Sequence, residues 1–144
     1  MIKSIIAIMI SVLISSCVTT INGSTKTLKF EKADKISYTL GKEMKNGKSS
    51  GTSYTAYFDT KGDVKITKVW INGINMDFEQ VKTSENSFRV RSTFYRGTKS
   101  NQHPKIKAPI EYEGTALYEY TDNGETKYFV LKIFKELKKY EGAR

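Results

Sequence analysis

Residues 64–76 read Val-Lys-Ile-Thr-Lys-Val-Trp-Ile-Asn-Gly-Ile-Asn-Met. Val64, Ile66, Lys68 and Trp70 alternate with Lys65, Thr67, Val69 and Ile71, the period of two that belongs to a strand. Asn72-Gly73 then sits between Ile71 and Ile74. Both residues adopt positive φ readily, which a type I′ turn needs at its two central positions. A tight antiparallel hairpin is therefore predicted, with Met76 to Val81 as its return strand.

The same period continues in both directions. Upstream, Leu28 and Phe30, then Ile36, Tyr38 and Leu40, alternate with polar residues, and Tyr54, Ala56 and Phe58 lead into the turn Asp59-Thr60-Lys61-Gly62-Asp63. Gly41 to Gly51, rich in Gly, Lys and Ser, reads as a long loop. Downstream, Phe88, Val90 and Phe94 face one way, with Ser92 among them, while Arg89, Arg91, Thr93 and Tyr95 face the other. That is the signature of a half-buried antiparallel strand. Arg96 to Pro109 is a second long loop holding the single histidine, His103. Ile110 and Tyr112 lead to Gly114. Ala116, Tyr118 and Tyr120 then alternate with Leu117 and Glu119 up to the turn Thr121-Asp122-Asn123-Gly124. Phe129, Leu131 and Ile133 oppose Tyr128, Val130, Lys132 and Phe134, so this strand is apolar on both faces and is expected to be central. Glu136 to Arg144 reads as a charged, frayed tail.

No stretch after residue 17 carries a sustained 3.6-residue apolar stripe, and no segment repeats at a fixed period. Seven or eight short strands joined by Gly, Asn and Asp turns point to an all-β antiparallel sandwich of immunoglobulin-like type. A small lipocalin-like β-barrel is the alternative, since strand number and length fit both. The unequal long loops favour the sandwich, because a regular up-and-down barrel has evenly spaced connections.

Catalytic chemistry is sparse. One histidine and one cysteine cannot build a zinc cluster, and His103 lies in a polar loop with no Gly-x-Ser-x-Gly elbow elsewhere. Asp59 to Asp63 resembles a calcium loop only superficially, because Lys61 would repel the ion. No phosphate loop or dinucleotide fingerprint occurs. Neither a catalytic residue nor a cofactor is expected. Glu111, Glu113 and Glu119 are the carboxylates from which a glycoside-cleaving pair could be drawn, with Tyr118 and Tyr120 to stack a sugar.

Charge is distributed unevenly along a chain whose formal net charge is +9. Residues 82–108 carry Lys82, Arg89, Arg91, Arg96, Lys99, Lys105 and Lys107 against Glu85 alone, whereas residues 109–126 carry Glu111, Glu113, Glu119, Asp122 and Glu125 and no base. Two readings follow. Arg89 and Arg91 pair with Glu111 and Glu113 across a ladder, or Arg89, Arg91, Tyr95 and Arg96 form an exposed basic and aromatic face for an anionic partner.

The amino terminus has a different character. Lys3 precedes an apolar run from Ile5 to Ile14 that only Ser11 interrupts, and Ile14-Ser15-Ser16-Cys17 closes it. This is a positive n-region, a short h-region and a small-residue cleavage site, too short for a permanent helical span of roughly 20 residues. Ile14 to Cys17 resembles a bacterial lipoprotein lipobox: an aliphatic residue, two small residues and the cysteine. The resemblance covers the leader only. It implies cleavage between Ser16 and Cys17, acylation of Cys17, and a membrane partner held through covalent lipid. Val18 in place of an aspartate then implies the outer rather than the inner membrane.

The domain boundaries expected are a signal peptide at 1–16, the acylated cysteine with a flexible tether at 17–26, and one domain at 27–144. With Cys17 acylated no thiol is left for a disulfide, so stability must come from packing. The functional expectation is a non-enzymatic lipoprotein of the cell envelope. Its basic domain would bind an anionic lipid, a polysaccharide or an envelope protein; nucleic acid is not expected outside the cytoplasm. The alternatives are a polysaccharide-acting enzyme using Glu111 or Glu113, and a lipid-carrying barrel.

Overall fold

The computed structural model describes residues 19–21, 27–39, 50–96, 101–138 and 140–141. Ser16 and Cys17 lie outside them. The strands are, in order, β1 (Thr19–Ile21), β2 (Leu28–Thr39), β3 (Ser50–Thr60), β4 (Val64–Ile71), β5 (Ile74–Met76), β6 (Glu79–Ser84), β7 (Ser87–Tyr95), β8 (Gln102–His103), β9 (Ala116–Asp122), β10 (Glu125–Leu131), β11 (Lys135–Glu136) and β12 (Tyr140–Glu141). They form two sheets, one ordered β1-β10-β9-β4-β5-β8 and the other β11-β2-β3-β7-β6, with β12 also paired to β2.

Successive hairpins β2–β3, β4–β5, β6–β7 and β9–β10 alternate between the sheets, and β3 pairs with β7 as β4 pairs with β9. The orders β2-β3-β7-β6 and β10-β9-β4-β5 follow the immunoglobulin pattern, with a four-stranded sheet facing one that carries an extra edge strand. Both sheets are open, so the sandwich expectation holds and the barrel does not. Asn72 and Gly73, and again Asn123 and Gly124, have positive φ at both central turn positions, as type I′ hairpins require.

The core lies between the sheets. Leu28, Ala33, Ala56, Phe58, Phe88 and Val90 come from one side, and Val64, Ile66, Val69, Ile71, Met76, Ala116, Tyr118, Tyr120, Phe129 and Leu131 from the other. Phe58 is its centre: its ring lies 5.4 Å from Phe88 on the neighbouring strand, and 5.7 Å from Tyr118 and 5.4 Å from Phe129 across the sandwich.

The structure departs from the expectations above in five places. In β4 the register shifts between Ile66 and Lys68, so Thr67 is an extra residue that re-phases the strand. Val64, Ile66, Val69 and Ile71 all turn inward as a result, and Trp70 turns out. There Trp70 joins Leu117, Tyr128 and Val130 under a cover of Ala108, Ile110 and Tyr112, and its Nε1 donates to the Ile106 carbonyl at 3.0 Å. This cover, rather than a central position, explains why β10 is apolar on both faces; its neighbours are β9 and the short β1. The return strand predicted for Met76 to Val81 is split, with β5 in one sheet and β6 in the other, and Asp77-Phe78 crosses between them. The carboxyl-terminal segment is not a frayed tail over its described part: β11 and β12 run parallel to β2. Thr19–Ile21, inside the stretch expected as a tether, run parallel to β10.

A buried charge fastens the end of the sandwich where β2 begins. Asp122 is 3% exposed, accepts a hydrogen bond from the Thr27 hydroxyl, and pairs with Lys127 at 3.1 Å. The Thr27 bond and then Lys127 hold its carboxyl below the usual range against the opposing effect of burial, while Asp122 raises the Lys127 amine. A depressed carboxyl stabilises the fold fully above its unfolded pKa of about 3.9, and that contribution is lost as pH falls through the lower folded value. Asp122→Asn should therefore be less stable than the parent at pH 7, with the gap closing below about pH 4. Urea midpoints measured from pH 7 to pH 2 check this; a constant gap would show that the carboxylate charge is not what is lost.

Candidate functional site

The alternation of β7 fixes the candidate surface. Phe88, Val90 and Ser92 turn into the core, so Arg89, Arg91, Thr93 and Tyr95 project from the outer face of the β2-β3-β7-β6 sheet. Cross-strand partners then follow from the register. Arg89 lies between Tyr57 and Val81, Arg91 between Thr55 and Glu79, Thr93 beside Ser53, and Tyr95 beside Gly51. Arg89 and Tyr95 stand about 20 Å apart along the strand at about 3.3 Å per residue. Gly51 makes the close approach at the Tyr95 end possible. A methyl group built there would collide with the Phe94 carbonyl oxygen and come within 3.1 Å of the Tyr38 hydroxyl.

The structure thus brings Arg89, Arg91 and Tyr95 together, and leaves Arg96 in the turn beyond the strand, exposed, with its backbone N–H donating to the Ser50 carbonyl. Pairing of Arg89 and Arg91 with Glu111 and Glu113 does not occur, because β7 is flanked by β3 and β6 while residues 108–112 cover the opposite sheet. Arg91 instead approaches Glu79 at 3.8 Å and Thr55 Oγ1 at 3.4 Å. Both are long contacts, and the Arg91 side chain keeps 37% of its surface exposed, so the pair contributes little to stability. Arg89 makes no ion pair among the described residues, and its Nε is buried without a hydrogen-bond partner. Lys32 lies 4.8 Å from the Tyr57 ring centroid and adds a cation to the same face. Acids stand there too: Asp59 accepts from Ser87 at 2.5 Å, and these bonds with Ser87 and then Glu31 hold its carboxyl low.

Beside this row the Asp77-Phe78 crossover raises a wall. Asp77, Phe78, Glu79, Arg91, Thr93, Tyr95 and Asn101 enclose a cleft of about 400 Å³, within the range of small-ligand sites. Asn101 is 9% exposed. Its Nδ2 donates to the Thr93 carbonyl and its backbone carbonyl accepts from Asp77 N at 2.9 Å, but its side-chain Oδ1 is buried with no partner among the described residues. Behind the wall, His103 Nε2 and Asp77 Oδ1 meet at 2.6 Å, and β8 pairs with β5. His103 thus fastens the crossover.

Asp77, Phe78, Glu79 and Asn101 escape a sequence reading. The first three sit where a continuous strand was expected, and Asn101 lies in an irregular loop with no motif around it. Glu111 and Glu113 are exposed residues outside any strand, since Tyr112 between them turns inward onto the Trp70 cluster. Burial raises the Tyr112 phenol above its usual range, against a hydrogen bond with the Gly73 backbone. The groove-facing carboxylate pair that glycoside cleavage would need is therefore not built from these two residues. Glu119 is engaged as an acceptor from Thr67 at 2.8 Å and Tyr128 at 3.2 Å.

A wider cleft of about 730 Å³ at the β2-entry end intersperses Lys61, Lys65 and Lys82 with Asp63 and Glu85, and Phe88 is the single aromatic residue among those lining it, against Phe78 and Tyr95 in the first. Comparison with protein-family models, with curated proteins and with solved structures finds no match to this chain.

Proposed function

We infer that this is a non-enzymatic, lipid-anchored envelope protein whose sandwich binds an anionic envelope component through the outer face of β7. One observation carries the binding half of this reading: Arg89, Arg91 and Tyr95 share an outward face on which Arg89 lacks an ion-pair partner among the described residues and Arg91 is held only loosely. Loosely paired guanidinium groups on a rigid strand suit carboxylate or phosphate, because the planar fork matches those anions and little order is lost on binding. The anchoring half rests on Ile14-Ser15-Ser16-Cys17. Two acyl chains hold a protein on a membrane stably where one does not, and an acylated Cys17 would stand two residues before β1.

Two experiments test the halves separately. Arg89→Glu with Arg91→Glu should cost about 1 kcal/mol of stability, because the new carboxylate at position 91 stands opposite Glu79, and should abolish co-purification of the anionic component from native envelopes. Unchanged co-purification would remove the basic face from the account. Cys17→Ser should give a soluble or unprocessed protein; a cleaved mature form of that variant still in the membrane fraction would remove the anchor.

A further inference from the structure

We propose that the cleft between β7 and the Asp77-Phe78 crossover binds a carboxylated sugar unit of an acidic polysaccharide. This rests on the anion-binding reading above and names the chemistry recognised. Three features of the cleft point the same way. Tyr95 and Phe78 supply aromatic surface, which pairs with the apolar face of a pyranose as it does with other flat partners. Thr93 and Glu79 line the same space and offer a hydroxyl and a carboxylate to sugar hydroxyls. Arg91, with Arg89 two residues along the same face, supplies the guanidinium groups for the sugar carboxylate.

A lipid headgroup fits less well. It would use the guanidinium groups but not the aromatic wall. Asp77 and Glu79 bring carboxylates to the same cleft, so the sugar carboxylate is placed toward Arg91 and Arg89, and the two acids accept from sugar hydroxyls. A polysaccharide also suits the length of the face: the roughly 20 Å from Arg89 to Tyr95 extends well beyond a single sugar ring.

The test is calorimetric titration of the acylated chain in neutral detergent with oligogalacturonate, alginate oligomers and hyaluronate oligomers. The methyl esters of the same oligomers and phosphatidylglycerol vesicles serve as comparisons. At least one acidic oligomer should bind, its ester at least tenfold more weakly. Tyr95→Ala should weaken binding about tenfold and Tyr95→Phe should restore it; unfolding midpoints within a few degrees of the parent would confirm that both variants fold. Equal binding of acid and ester would overturn the proposal, and so would binding that survives Tyr95→Ala. If only the vesicles bind, the sugar assignment falls while the anion-binding reading stands. If nothing binds and the Arg89→Glu, Arg91→Glu protein still co-purifies with its envelope partner, both fall.

Discussion

Phe58→Ala is expected to lower the unfolding free energy by about 3–5 kcal/mol. The side chain is fully buried and touches Phe30, Phe88, Tyr118 and Phe129. It therefore joins the two sheets as well as filling one of them. Truncation removes the transfer free energy of the ring and leaves a void. The neighbours that would have to collapse into it are themselves ring systems on rigid strands. A domain of this size is stable by only about 5–15 kcal/mol in total, and the chain has no disulfide to retain it, since it contains one cysteine. Phe58→Leu, which keeps most of the volume, should cost less than about 2 kcal/mol. Urea unfolding followed by circular dichroism measures both. A loss below about 1 kcal/mol for the alanine variant would mean that the sheets do not meet at this ring.

Trp70→Ala is expected to cost a similar amount, about 3–5 kcal/mol, for a different reason. Trp70 lies outside the inter-sheet core, on a face that would be solvent-exposed without Ala108, Ile110 and Tyr112. Its loss removes the ring on which that irregular segment rests and leaves the Ile106 carbonyl without the indole donor. The cover over Leu117, Tyr128 and Val130 should loosen with it. Native-state hydrogen exchange should show faster exchange at Val130 and Leu117 while Phe58 and Phe88 keep their protection. Trp70→Phe restores most of the apolar area but not the hydrogen bond, so its cost should fall between the parent and the alanine variant. Uniform loss of protection across both sheets would mean that the outer cluster is not a separate unit.

These two residues also mark how far the sequence carries. The all-β class, the sandwich, the two Asn-Gly hairpins and the outward face of β7 are legible, because each rests on a period of two or on residues that accept positive φ. β3 and β7 pair without a register shift, so Phe58 and Arg89 are placed correctly by pattern alone, while Phe94, expected on the core side with Phe88 and Val90, is 40% exposed at the strand end. The side on which Trp70 lies is not legible. Thr67 is a good strand residue, and nothing in its identity signals that it is the extra residue of a bulge; only the pairing of β4 with β9 reveals it. The apolar outer face of β10 is misleading for a related reason, since a segment without regular structure covers it where a further layer of strands would be expected. The site divides in the same way. Arg89, Arg91 and Tyr95 are found from spacing, whereas Asn101 and the Asp77-Phe78 wall arise from a sheet change that no local pattern encodes.

Contact between the outer face of β7 and an anionic envelope component can be read directly. A photo-crosslinking amino acid at Ser53, opposite Thr93 at the edge of the cleft, would be compared in native envelopes with one at Lys65 on the other sheet. An adduct should form from position 53 alone and disappear when Arg89→Glu and Arg91→Glu are introduced. The same adduct from both positions, or an adduct at position 53 that survives charge reversal, would contradict the assignment of function to this face.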